Sequence, residues 1–150
     1  MATSHSLKLL LEYARKQTDD AAIGLGKLNL KQQEAEKTLQ LLIDYRTNYQ
    51  TQFTQSASHG ISPVEWRNFK IFVGKLDTAI QAQQALVTTT RQHAAAGSTH
   101  YHKQRKRMQS YATLSHRAEL TRQKHLQQQE QRLLDEHTSH KFSKRPKNSE

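Results

Sequence analysis

His59-Gly-Ile-Ser-Pro-Val-Glu-Trp66, HGISPVEW, holds one of the two prolines and one of the five glycines in a chain of 150 residues. Ser62-Pro63-Val64-Glu65 has the form of a helix start. Ser62 is the N-cap, Pro63 occupies the first helical position, where its missing N–H costs nothing, and Glu65 is the reciprocal partner of a capping box. Ile61, immediately before the cap, can staple onto the following turn. Upstream, Thr54–Gly60 is a small, polar stretch that ends in glycine.

On both sides of this break the chain has one periodicity. Alternate steps of four and three from Leu7, through Leu11, Ala14 and Thr18 to Tyr49 and Phe53, land on fourteen positions, eleven of them apolar. The same stepping from Trp66, through Phe69, Val73 and Leu76 to Met108 and Tyr111, lands on fourteen more, ten of them apolar. An apolar repeat of ~3.5 residues held this long is a coiled-coil pattern. Gly24 and Gly26 each weaken the first helix by up to ~1 kcal/mol. Past Tyr111 the stripe fades into Gln, Arg, Lys and His.

A break between two striped helices reverses the chain. The expected fold is all-α, a long antiparallel two-helix coiled coil (a helical hairpin). The predicted organisation is a flexible N-terminus over 1–6 and a coiled coil over 7–137. Within it, helix 1 runs over about 7–53, a loop over 54–62 and helix 2 over about 63–137, frayed after about 115. A disordered basic tail follows over 138–150. If Phe53 lies near Pro63, Leu42 faces Leu76 and Val73, Ala35 faces Ile80, and Leu28 faces Val87. Ala21 and Thr18 then meet Ala94 and Gly97 as a thin waist, and Leu7 meets Met108. Residues after about 110 have no partner in the chain, where the stripe also ends. That coincidence favours one intramolecular hairpin over a parallel dimer, a rod whose first helix is ~70 Å long.

Composition suits a narrow seam and excludes a wide core. The apolar fraction is 34%, mean hydropathy is −0.92 and there are 18 glutamines, where disorder is the competing outcome and periodicity decides against it. Without cysteine, disulfides, thiolate metal sites and thiol nucleophiles are impossible. No apolar run approaches a membrane span or a signal-peptide core, the longest being Leu9–Leu11, so a soluble cytoplasmic protein is expected. The net charge is +10, and residues 101–150 carry twelve basic against five acidic side chains. Such an end suits an acidic partner or simply a solvated face.

Chemistry is sparse. Gly24-Leu-Gly-Lys27 lacks the spacing of a phosphate loop and sits in a helical context. His137 and His140 are helically spaced, but no third metal ligand is evident. No carboxylate pair has a pocket, and two packed helices offer no cavity to dry out a reaction. No catalytic, cofactor-binding or metal-binding residue, no cofactor and no small-molecule substrate are expected, and the protein is read as a non-enzyme. Lys103–Arg107, flanked by Tyr101 and Tyr111, could contact nucleic acid, but both tyrosines already have places in the seam.

Near the break there is more apolar surface than a seam needs. Ile43, Tyr45, Ile71 and Phe72 lie off the two stripes, and Tyr45 and Phe72 fall at the same height. With only two helices, part of this area faces water, which marks a binding surface.

The same residues carry a resemblance. LLIDYRTNYQTQF (Leu41–Phe53), HGISPVEWRNFKIFVGKLDTAI (His59–Ile80) and LLLEYARKQTDDAA (Leu9–Ala22) resemble the FliJ family of flagellar export proteins, over roughly residues 5–110, with little likeness past 115. The resemblance implies a non-enzymatic component of the flagellar type III export apparatus, with a fold similar to the gamma-subunit stalk of rotary ATPases. The implied partners are the hexameric export ATPase, whose ring assembly the family promotes, the export gate protein FlhA, and export chaperones. The implied location is the cytoplasm and the cytoplasmic face of the inner membrane at the flagellar base, with membrane contact only through the export apparatus.

By the same resemblance, the gate-binding surface falls on Leu42, Tyr45, Tyr49, Phe72, Leu76 and Ala79. Two further positions depart, Gln83 replacing a histidine and Thr38 a glutamine. The ATPase-binding end falls in the region of Leu7, Leu11 and Arg15 with Lys103, Met108 and Tyr111, where basic charge suits an acidic ring lumen. A general coiled-coil adaptor and a basic nucleic-acid-binding helical protein are the alternatives.

Overall fold

The computed structural model describes residues 2–144. They form two helices, α1 over Ala2–Ala57 and α2 over Pro63–Ser143. The reversal between them is made as the sequence dictates. The N–H groups of Ser58, His59 and Gly60 donate to the carbonyls of Thr54, Ser56 and Ala57, closing the last turn of α1. Gly60 then adopts φ +89°, a left-handed conformation open to glycine at no steric cost. The capping box is formed: the Glu65 N–H donates to Ser62 Oγ at 3.2 Å and the Ser62 N–H donates to Glu65 Oε2 at 3.4 Å.

The helices run further than the apolar stripes. α1 starts at Ala2, inside the segment expected to be flexible, and continues one turn past Phe53 to Ala57. α2 is unbroken where fraying was expected after 115, and includes residues 138–143 of the expected tail. The reason is local propensity. After Gly97 there is no glycine, and no proline before Pro146, while Gln, Leu, Arg, Lys and Glu dominate, all good helix formers. Residues 145–150 of the expected tail lie outside the described residues.

The chain divides into two compact units. The first pairs the start of α1, through Gln17, with α2 from Arg105 onward. Leu11 and Ala14 are buried there, and Leu7, Met108, Tyr111, Ser115 and Ala118 are half-buried. Burial thus continues two stops beyond the end of the apolar stripe, on Ser115 and Ala118. Residues 120–144 are all exposed. Arg122 grips Glu119 at 2.7 Å one turn back, and that hydrogen bond lowers the carboxyl's pKa and raises that of the guanidinium.

The second unit, Thr18–Gln104, pairs the remainder of α1 with the first half of α2. Its most buried residues are mainly small: Ala21, Ala35, Ala94, Thr18 and Thr90, with Leu76 and Val87. Thr90 satisfies its hydroxyl on the Val87 carbonyl at 2.9 Å, and the Gln83 amide donates across the seam to the Ala35 carbonyl at 2.9 Å. Polar interruptions of the stripe are therefore bonded rather than left bare, as buried polar groups must be. Arg46, another interruption, reaches over the flank to Asp77, and Arg91 reaches Glu36 at 2.9 Å. Hydrogen bonds from Arg91, and then from Gln32, hold the Glu36 carboxyl below its ordinary range.

The antiparallel order is that expected, but the register differs. Phe53 stacks on Phe69 at 3.7 Å rather than lying by Pro63. Ala35 meets Gln83, one turn beyond Ile80. Gly97 faces Leu28 and Leu25, not Ala21 and Thr18: a Cβ on Gly97 would lie 2.6 Å from Leu28 Cδ1. The extra turn of α1 moves each of its residues opposite a higher-numbered position on α2 and accounts for part of this shift. The contact is therefore a large side chain seated in a glycine notch, rather than a waist of small against small.

Two glycine substitutions test these assignments. Gly60→Ala forces an L side chain into the left-handed region and should lower stability by about 1 kcal/mol. Gly26→Ala, where nothing lies within 4 Å of a new Cβ, should raise it by up to ~1 kcal/mol. Urea unfolding followed by circular dichroism gives both signs.

Candidate functional site

Aromatic side chains gather beside the loop, within the second unit. α1 supplies Tyr45, Tyr49 and Phe53 at spacings of four, which keep them on one face of a helix. α2 supplies Trp66, Phe69 and Phe72 at spacings of three. Phe53 stacks on Phe69 and lies 5.8 Å from Trp66. Tyr49 contacts Phe69 at 5.5 Å and Phe72 at 4.6 Å. Tyr45 closes the row, edge-on to Phe72 at 6.1 Å and stacked beside Tyr49 at 6.5 Å. The inner rings supply packing. The outer ones remain open: Tyr45 is 53% exposed and Trp66 45% exposed.

This arrangement brings together three of the six expected gate-binding residues, Tyr45, Tyr49 and Phe72, as a continuous aromatic ridge. Leu42 is half-buried and Ala79 exposed. Leu76 is only 8% exposed, so it packs the seam and offers little surface to a partner. Of the two departures, Thr38 and Gln83 line one shallow groove of about 360 Å³ with Lys31, Glu34, Ala35, Leu86 and Thr90. Gln83 is held inward by the Ala35 carbonyl.

The chain can now be set beside known proteins. The sequence model of the family described as "Flagellar FliJ protein" matches residues 3–147. The chain belongs to the FliJ family. It is 31% identical over 117 residues to the flagellar FliJ protein of Salmonella typhi, covering 78% of this chain and 80% of the relative. It is 30% identical, with the same coverage, to that of Escherichia coli K12. The family match corrects the range read from the sequence, which ended near residue 110. The exposed continuation of α2 is part of the family pattern.

In this FliJ-family chain, four of the six residues expected at an ATPase contact belong to the seam. Leu11 is buried, and Leu7, Met108 and Tyr111 are half-buried. Arg15, in the first unit, and Lys103, in the second, are exposed. The first unit also has exposed apolar side chains that the repeat did not single out: Leu9, Leu10 and Tyr13 on α1 and Leu114 and Leu120 on α2. Their signal was available, since each falls between stops of the four-three stepping. The cross-helix ion pairs Arg46–Asp77 and Glu36–Arg91 were missed because naming them requires the register. So was Lys70, whose Nζ lies 5.2 Å over the Trp66 ring.

The aromatic ridge should split by depth. Tyr49→Ala, losing contacts with three rings, should cost about 2–4 kcal/mol, while Tyr45→Ala should cost less than about 1 kcal/mol. Denaturant midpoints of the two variants check this.

Proposed function

We propose that this FliJ-family flagellar protein acts without catalysing a reaction, as a linking component of the flagellar protein export apparatus. In this reading the loop-end ridge binds the export gate protein FlhA. The end formed by the start of α1 and the later part of α2 engages the export ATPase ring and promotes its assembly, and export chaperones dock on the same protein. It works in the cytoplasm and at the cytoplasmic face of the inner membrane at the flagellar base, supporting flagellum assembly and motility.

The observation that carries the proposal is the open Tyr45 ring, edge-on to the half-buried Phe72, in a chain of this family. Tyr45 is half exposed and contributes little to the seam, so its ring is available surface. Aromatic side chains with one open face supply large contact area at low entropic cost. The ATPase end is supported by charge. Arg105, Lys106 and Arg107 are all exposed, and such a run favours an acidic partner by electrostatic steering.

Tyr45→Ala combined with Phe72→Ala should abolish pull-down of the gate protein, by at least tenfold in apparent affinity, with unchanged helicity by circular dichroism. Retention of gate binding would refute the site. The wild-type protein should raise the turnover of the export ATPase at low ATPase concentration, and the double variant should do so equally. Absence of stimulation would refute the ring-assembly role.

A further inference from the structure

The side of α2 turned away from α1 carries a second pattern next to the loop. Val64, Arg67, Ile71 and Lys75 fall within about a quarter of the helix circumference, opposite the seam residues Phe69, Val73 and Leu76. Val64 is 64% exposed and Ile71 52%. Arg67, Lys70 and Lys75 are exposed. The nearby carboxylates are engaged elsewhere, Glu65 in the capping box with Ser62 and Asp77 with Arg46. At the flank, Lys70 lies over the half-open Trp66 ring. Further along the same line come Thr78, Ala82 and Ala85, so the alternation of aliphatic and basic residues is confined to the turns beside the loop.

We infer that this face is a contact site for an anionic lipid surface. A protein-binding hot spot concentrates large side chains in a desolvated pocket. Here two aliphatic side chains alternate with long cations on the convex side of a single helix. That composition suits shallow insertion, with Val64 and Ile71 among the upper acyl carbons and Arg67, Lys70 and Lys75 beside lipid phosphates. No described helix is long and apolar enough to cross a membrane, so the contact is adsorption that salt weakens. It uses a different side of the loop end from the Tyr45–Phe72 ridge and does not depend on the gate-binding proposal.

Full-length protein is sedimented with phosphatidylcholine vesicles, with and without about one third phosphatidylglycerol, at near-physiological salt. The expected result is co-sedimentation with the anionic vesicles only. Partitioning should fall at least tenfold in Val64→Ser/Ile71→Ser and in Arg67→Glu/Lys75→Glu, both still helical. It should be unchanged in Tyr45→Ala/Phe72→Ala and in Arg105→Glu/Arg107→Glu. Absence of co-sedimentation with anionic vesicles would overturn the inference, whether or not the gate protein is bound. Binding that survives both loop-end variants, or is lost on charge reversal at Arg105 and Arg107, would overturn it as well.

Discussion

Each helix can cover only one stripe of its neighbour, and that constraint governs the rest of the molecule. With no third layer, apolar contact is limited to the alternating three- and four-residue stops, and the flanks remain wet. The response is visible in the residues used. The most buried side chains are mainly alanines and threonines, which bring the backbones close, while larger residues are only half-covered. What small residues lose in apolar area is supplemented by bonds that cross the flanks: Gln83 to the Ala35 carbonyl, Arg46 to Asp77, Arg91 to Glu36. Exposed ion pairs of this kind contribute little each. Their value is positional, since each one fits a single alignment of the helices.

The loop end solves the same problem with bulk. Rings pack in a continuous row from Tyr45 to Trp66 at this end. The surplus is carried to the surface on Tyr45 and Trp66 because two helices have nothing with which to cover it. Function and packing are thus not separable there. Rings that hold the turn together also supply the edge that a partner can grip, which is why the depth of each ring, rather than its identity, distinguishes a stability residue from a binding residue.

Much of this was legible from residue types alone. The turn follows from Gly60, Ser62, Pro63 and Glu65. Twenty-seven of the twenty-eight stepped positions are buried or half-buried, Trp66 beside the loop being the exception. The pairing of Tyr45 with Phe72 was readable because both sit close to the turn, where an error in register has little distance to grow. Farther along it was not. The extra turn of α1 after Phe53 contributes to moving Ala35 toward Gln83 and Gly97 toward Leu28, and no apolar pattern marks that turn. The continuation of α2 was missed for the opposite reason. Its apolar pattern stops, but helix formation needs only the absence of glycine and proline, and residues 98–143 have neither. Leu76 shows the limit of assignment by resemblance: a position can match a family's contact set and still be sealed by its own fold.

Leu28 in the notch at Gly97 has a mechanical consequence. Sliding one helix past the other by a heptad would bring that leucine opposite Thr90 or Gln104 in place of the glycine, and the Gln83 amide would lose its carbonyl. The notch thus favours this one alignment of the two helices within the unit.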